Sequence, residues 1–160
     1  WLTSHRFQLL FITFPVFEKV LLIVPGLFNM WLRAWGSHVG KGVLWVPNAE
    51  VLDRSHMHIE DNVAFANRVY LSPHVVRPAG DKKFLLYFKK IHIGTGSFIG
   101  AGARIGPGAY VAPGTMVPLL TDIYLNQRVD NSTFKKRKDA AVVPTAMEVC
   151  DEPGDPTEAN

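Results

Sequence analysis

Aliphatic side chains recur every six residues through the centre of the chain, and this spacing constrains the fold more than any other feature. The unbroken series is Ile93, Ile99, Ile105, Val111 and Val117. An α-helix has about 3.6 residues per turn, so a period of six moves successive apolar residues around its surface. A flat β-strand alternates with a period of two. Neither regular element explains the series.

Small residues accompany the aliphatic series. Gly94, Gly100 and Gly106 directly follow three of its members, and four places after successive members stand Ser97, Ala103, Ala109 and Thr115. A coil of three short strands joined by tight turns fits this pattern. Each hexad then forms one side of a triangle, with its aliphatic residue inside and its small residue at the corner. We therefore predict an all-β fold, a parallel β-helix; the alternative is a generic all-β domain.

Looser copies of the hexad precede the regular series. They are Val39, Trp45 and Val51, and then Ile59, Phe65 and Leu71. The slip between the two sets predicts a small bulge at 52–58. Residues 77–90 match no hexad and predict a loop that leaves the coils. We expect about four coils within a β-helix domain at 39–127: 39–58, 59–76, 91–110 and an incomplete one from 111.

The amino-terminal region, 1–38, is strongly apolar. Pro15 and Pro25 interrupt it, so it does not offer the ~20 continuous apolar residues of a simple membrane span. We predict short helices, at about 5–14 or 8–24 and then at 26–36. Two interpretations remain open and are compatible: the segment associates with a membrane, or its helices cap the open end of the coils and hide their strand edges.

Composition sets further limits. The chain has 160 residues, enough for one domain, and its formal charge of +3 is too small to indicate a nucleic-acid partner. A single cysteine, Cys150, excludes a disulfide within the chain. Residues 128–160 combine a basic segment with a tail that we expect to be disordered. The start at Trp1 rather than Met indicates a truncated or processed chain, or a piece of a larger protein.

The regular hexads resemble those of the hexapeptide-repeat acyltransferases, whose fold is a left-handed parallel β-helix. The resemblance lies in Ile91-His92-Ile93-Gly94 through Ile99-Gly100, and in Ile105-Gly106-Pro107-Gly108. Val51-Leu52-Asp53, followed by residues 59–63, is similar to the stretch before the active site of sugar O-acetyltransferases. The similarity covers about 39–127. It implies a left-handed coil, a homotrimer, and transfer of an acyl group from acyl-CoA or acyl carrier protein to a hydroxyl or amine.

His74 is the candidate general base. It follows a coil and directly precedes the excursion at 77–90, and scaffolds commonly place active sites beside such loops. An imidazole can take a proton from a hydroxyl near neutral pH. Sugar O-acetyltransferases usually carry this histidine at the last place of its hexad, here Val76, two residues later. The alternative for His74 is an exposed turn histidine.

Other residues complete the candidate site. Asp53 aligns with an acidic residue that contacts the acceptor, so it would bind an acceptor hydroxyl or orient the histidine; the alternative is a turn aspartate. Asn67 is a polar lining candidate or a corner asparagine. By resemblance, the donor, acetyl-CoA or another acyl-CoA, lies in a groove between subunits, with small residues beside a thin pantetheine arm and lysines near its phosphates. The candidates are Gly100, Ala101, Gly102, Ala112, Pro113, Lys135 and Lys136.

The excursion at 77–90 adds a basic and apolar surface. Five basic residues flank Phe84-Leu85-Leu86-Tyr87-Phe88. Such a surface can engage anionic lipid, bind the phosphates of CoA, or cover a neighbouring subunit. Together with 1–38 it predicts peripheral contact with the cytoplasmic face of the inner membrane, or else a cytoplasmic protein, and an acceptor that is a sugar or is lipid-linked.

Two other functions compete with the acyltransferase. The first is a non-catalytic β-helix module of a larger membrane-associated assembly. The second is a metalloprotein like the γ-class carbonic anhydrases. His58 and His92 each precede the first aliphatic residue of a coil, so we expect them to stack one coil apart on the outer face. The pair of histidines close in sequence that marks those enzymes is not evident, and we expect no metal.

Overall fold

The computed structural model describes residues 14, 16–80 and 83–135, and it consists mostly of short parallel strands. Helices α1 (Val16–Ile23) and α2 (Leu27–Ala34) come first, and a short helical segment at 131–135 comes last. The strands between them are β1 His38–Val39, β2 Leu44–Trp45, β3 Glu50–Val51, β4 Met57–Ile59, β5 Ala64–Phe65, β6 Tyr70–Leu71, β7 His74–Pro78, β8 Phe84–Phe88, β9 Ile91–Ile93, β10 Phe98–Ile99, β11 Arg104–Ile105, β12 Tyr110–Val111, β13 Met116–Val117, β14 Asp122–Ile123 and β15 Arg128–Val129.

The chain visits three parallel sheets in rotation. Sheet A has the order β1-β4-β9-β12-β15, sheet B the order β2-β5-β10-β13, and sheet C the order β3-β6-β11-β14. In the regular part the pairing partners stand eighteen residues apart, as in Ile105 with Ile123 and Val111 with Val129. Three hexads therefore separate neighbouring strands of one sheet, which is compatible with the predicted β-helix. The six-residue spacing also carries the strands to Val129, beyond the expected boundary at 127.

The predicted aliphatic series forms the interior. Ile93, Ile99, Ile105 and Val111 are at most 1% exposed and belong to one hydrophobic cluster. Burying each such side chain stabilises the fold by roughly 1.5–3 kcal/mol relative to leaving it in water. The small residues four places on also face inward: Ser97, Ala103, Ala109 and Thr115 are buried. The residue in the left-handed turn conformation is the one just before each of these small residues, for example Gly102 before Ala103, with φ 68°.

Two insertions break the eighteen-residue spacing, both where the chain passes from sheet C to sheet A. Val51 pairs with Leu71, twenty residues on, so two extra residues form the bulge that the sequence predicts. Leu71 pairs with Ile105, thirty-four residues on, because a hairpin is inserted. The excursion predicted as a loop at 77–90 is an antiparallel hairpin of β7 and β8, and it begins at His74.

The two amino-terminal helices cover the first strands. Asn29 Nδ2 donates to the Val43 carbonyl at 2.8 Å, and Arg33 Nε donates to the Val39 carbonyl at 2.7 Å. Phe28 and Leu32 are buried in the core cluster. Helix α2 therefore packs against the backbone of the first coil, at Val39 and Val43. No helix within the described ranges is long and apolar enough to cross a bilayer. The part of the predicted first helix at 5–13 lies outside the described residues.

Candidate functional site

Asp53 and His74 meet at the edge between sheets C and A. The bulge after β3 carries Asp53, and β6 of the next coil leads through Pro73 into His74, so both side chains leave sheet C at the same edge. His74 Nδ1 and Asp53 Oδ2 are in hydrogen-bond contact. The Asp53 side chain is 2% exposed and that of His74 is 18% exposed. Of the two roles considered for Asp53, this contact favours orientation of the histidine.

Local hydrogen bonds hold His74 at the root of the hairpin. Ser72 Oγ donates to the His74 carbonyl at 2.7 Å, and the Lys89 amide donates to the Pro73 carbonyl at 2.9 Å. His74 also pairs with Phe88 across the two strands. The hairpin therefore starts from a fixed geometry, and the imidazole lies where the regular coil gives way to the excursion.

A buried arginine holds the bulge that carries Asp53. Arg54 is 1% exposed, and its guanidinium makes a bidentate ion pair with Glu18 of α1, including Nη2 to Oε2 at 2.8 Å. The Arg54 carbonyl accepts a hydrogen bond from Ser37 Oγ at 2.7 Å. Neither Glu18 nor Arg54 was expected at the site. Their contact joins residues 36 apart in sequence, and no repeat marks either of them.

A second histidine lies in the same bulge. The His56 ring packs against Phe88 with centroids 3.9 Å apart, and its Nδ1 lies 2.8 Å from Ser55 Oγ. Burial lowers the pKa of His56 below its ordinary value, while the Asp53 carboxylate acts in the opposite direction and Lys90 lowers it further. The lowered pKa favours the neutral imidazole of His56. The sequence had not indicated that His56 lies at the site.

An open groove of about 650 Å³ lies beside His74. The outer face of sheet C forms one side of the groove and the hairpin forms the other. Tyr70, Arg104 and Asp122 line it from the sheet, and Arg77 lines it from the hairpin. Gly106 and Pro107 line it at the edge between sheets C and A. A substrate group in this groove would lie next to the imidazole.

The other predicted site residues lie on different edges. Asn67 and the segment 100–102 occupy the edge between sheets B and C, where the Gly102 amide donates to the Asn67 carbonyl at 2.9 Å. Ala112 and Pro113 occupy the edge between sheets A and B. The structure therefore brings Asp53 to His74 but does not bring Asn67, Gly100, Ala101, Gly102, Ala112 or Pro113 to it within one chain. Lys135 is exposed in the final helical segment, and Lys136 lies outside the described residues.

Three histidines stack on the outer face of sheet A. The ring centroids of His38 and His58 are 4.5 Å apart, and those of His58 and His92 are 5.0 Å apart. The expected stacking of His58 and His92 is thus confirmed. Within residues 16–80 and 83–135, no group of three or more His, Cys, Asp or Glu side chains is arranged to hold a metal ion.

Comparison with protein-family models, with curated proteins and with solved structures finds no significant match to this chain. The structure itself defines the class of protein: it is built mostly of parallel β-strands and has an Asp–His pair beside a groove. Its relation to the hexapeptide-repeat acyltransferases stays a prediction.

Proposed function

We propose that this chain is a left-handed parallel β-helix of about four coils and an acyltransferase of the hexapeptide-repeat type, most simply an O-acetyltransferase that uses acetyl-CoA. The contact between His74 and Asp53 beside an open groove is the observation that carries the proposal. A buried carboxylate on Nδ1 is the arrangement that general-base histidines use for orientation and for stabilising the imidazolium.

The pair supplies the chemistry of acyl transfer. Asp53 holds the Nδ1–H of His74, which assigns proton transfer to Nε2. Nε2 takes the proton of the acceptor hydroxyl while the hydroxyl oxygen attacks the carbonyl carbon of the thioester. The C–S bond then breaks, and the CoA thiolate leaves with the proton from the imidazolium. General-base assistance of this kind contributes roughly 10²- to 10⁴-fold to the rate.

The donor site would need a neighbouring subunit. Gly100, Ala101 and Gly102 lie on one edge of the chain and Ala112 and Pro113 on another, whereas His74 lies on the third. A homotrimer would bring one of these edges to His74 of the next subunit, and Lys135 and Lys136 would meet the CoA phosphates. Both the cofactor site and the trimer are parts of the proposal.

Peripheral membrane contact at the cytoplasmic face completes the proposal. Helix α1 exposes Val16, Val20 and Ile23, which are 53–76% exposed. The hairpin exposes Phe84 and Leu85 next to lysines. Apolar side chains flanked by basic ones favour an anionic lipid surface, and a lipid-linked sugar would be presented there.

The test measures transfer of labelled acetyl groups from acetyl-CoA to a panel of sugars and to a membrane-lipid extract. His74→Ala should lower the rate by roughly 10²- to 10⁴-fold, because it removes the base. Asp53→Asn should lower it as well, because the amide no longer stabilises the imidazolium. His92→Ala, which alters a histidine of sheet A, is the matched control and should keep the wild-type rate. Equal rates for His74→Ala and wild type would remove the assigned base.

A non-catalytic β-helix module of a membrane-associated assembly is the second candidate. The outward residues of sheet B favour it, because Leu44, Phe98 and Met116 are 40–66% exposed and apolar. Such surfaces commonly mark protein contacts. If neither acetyl-CoA nor acyl carrier protein binds in calorimetry, this candidate replaces the enzyme.

A further inference from the structure

The outer face of sheet C carries a row of polar side chains. The register aligns these outward residues across the four strands, in the order Glu50, Tyr70, Arg104 and Asp122. The corresponding row on sheet B is apolar: Leu44, Ala64, Phe98 and Met116. The two faces are built from the same repeat, so the hexad does not require this difference. The polar row is also the one that reaches the groove beside His74.

A second groove continues from the first across this face. It has a volume of about 670 Å³ and is lined by Asn48, Glu50, Arg68, Tyr70, Gly102 and Arg104. Tyr70 and Arg104 line both grooves. The two grooves therefore adjoin each other at Tyr70 and Arg104, and together, as the cleft, they extend from His74 at one edge of sheet C to Arg68 at the opposite edge.

The pair of Arg104 and Asp122 gives the middle of the cleft its chemistry. Arg104 Nη2 lies 2.6 Å from Asp122 Oδ2, and Nε lies 2.6 Å from Oδ1. The Arg104 side chain is 67% exposed, and ion pairs exposed to this degree add little to stability. Such a pair presents N–H donors and carboxylate acceptors side by side. Neighbouring sugar hydroxyls, which both donate and accept, match this arrangement.

We propose that the cleft binds a hydroxyl-rich acceptor of at least two sugar units, with one unit between His74 and Arg104 and the next between Tyr70 and Arg68. The inference rests on the proposed acyl transfer for the identification of the first unit as the acetylated one. Each groove has the volume of an ordinary small-ligand pocket, which is about 300–1,000 Å³. One sugar unit would leave Glu50, Arg68 and Asn48 unused.

The experiment measures binding to an array of mono-, di-, tri- and tetrasaccharides, using the wild-type chain without acetyl-CoA so that no turnover occurs. Disaccharides or longer glycans should bind at least 10-fold more tightly than the matching monosaccharide. The double variant Glu50→Gln/Arg68→Gln should remove this gain and leave monosaccharide binding unchanged. Arg104→Gln should weaken binding of both, and Arg104→Lys, which keeps the charge but not the fork, should restore only part of it.

The matched control is Arg128→Gln, which removes an exposed arginine at the same outward position of sheet A and should change nothing. Binding that does not depend on glycan length, absence of glycan binding, or a gain that survives Glu50→Gln/Arg68→Gln would overturn the proposal that the cleft binds two sugar units.

Failure of this proposal can be distinguished from failure of the proposed acyltransferase activity. Length-dependent binding without acetyl transfer by the wild type rejects the enzyme alone, whereas transfer with equal kcat/KM for mono- and disaccharides rejects the cleft alone.

Discussion

The ion pair between Arg54 and Glu18 is the contact that links the amino-terminal helices to the candidate site. A buried guanidinium must be paired, because an isolated charge in a low-dielectric interior is far more costly than one in water. Glu18 meets Arg54 through both carboxylate oxygens and also accepts a hydrogen bond from Trp31 Nε1 at 3.2 Å. Because Arg54 adjoins Asp53, the pair fixes the backbone from which the Asp53 carboxylate reaches His74.

Replacing Glu18 by glutamine should therefore destabilise the fold. Glu18→Gln removes a carboxylate from a guanidinium that stays charged and buried, and breaking such pairs costs about 3 kcal/mol. The measurement is urea unfolding followed by circular dichroism. Lys19→Gln changes the exposed neighbour on the same helix and should stay within about 0.5 kcal/mol of wild type. Equal midpoints for the two variants would mean that the pair does not hold the bulge.

Of the predicted site residues, the sequence pointed to the two that meet in the structure, Asp53 and His74. His74 was predicted from the end of a hexad series, and Asp53 from the similarity of Val51-Leu52-Asp53 to sugar O-acetyltransferases. Their contact joins residues 21 apart and depends on the two extra residues of the bulge, so sequence alone left the role of Asp53 open. Glu18 and Arg54 were not predictable, because a long-range ion pair leaves no periodic signal.

At the scale of strands and turns, glycine sets how closely neighbouring coils approach. Gly94, Gly100 and Gly106 follow the inward isoleucines, as the sequence shows, and the structure gives the reason. A Cβ on Gly94 would lie 2.5 Å from the Pro113 backbone nitrogen of the next coil, and one on Gly100 would lie 2.6 Å from the Leu119 nitrogen. Backbone atoms of a packed coil cannot move away cheaply.

Gly94→Ala should destabilise the chain by about 1–3 kcal/mol, the usual range for overpacking. Gly106→Ala is the matched control, because Gly106 has the same place in its hexad but its Cβ would lie 3.1 Å from the nearest atom, the Ile123 carbonyl oxygen. Thermal or urea unfolding of both variants should rank Gly94→Ala as clearly less stable. The reverse ranking would contradict the stacking that the strand register describes.

The strands of the coils were predictable from the hexads, but the hairpin of β7 and β8 was not. Apart from Trp45, which is partly buried, the inward hexad residues are buried in every strand of the three parallel sheets, so the period marks each of these strands. In the hairpin, both strands are largely exposed, and Val76, Phe84, Leu85 and Leu86 remain 37–73% exposed. Without one buried face there is no alternation of apolar and polar residues to reveal the strands.

At the scale of the whole molecule, the rotation of the chain gives each sheet a different outer surface. Sheet B is apolar and sheet C polar. Sheet A carries a ladder of side chains, one on each of its five strands. Four are the rings of His38, His58, His92 and Tyr110, and the fifth is the guanidinium of Arg128, which lies 4.5 Å from the centroid of the Tyr110 ring. Three of its members are neighbouring histidines, so a proton on one imidazole repels a proton on the next.

This ladder should make the fold sensitive to mild acid. Burial, and then the neighbouring His38 and His92, lower the pKa of His58 from its ordinary value of 6.5, while Glu60 partly opposes them and Lys90 adds to them. The unfolded chain thus binds more protons than the folded one, so this contribution to stability is complete above pH 6.5 and declines as the pH falls below it.

Urea unfolding between pH 8 and pH 5 measures the effect and stays above the range in which Glu60, with its lowered carboxyl pKa, contributes. The wild-type free energy of unfolding should fall across this range, and His58→Gln should reduce the slope. His56, whose pKa is also lowered, contributes with the same sign, so the double variant His56→Gln/His58→Gln should flatten the curve further. Parallel curves for wild type and both variants would show that protons do not bind differently to the folded and unfolded chains at these rings.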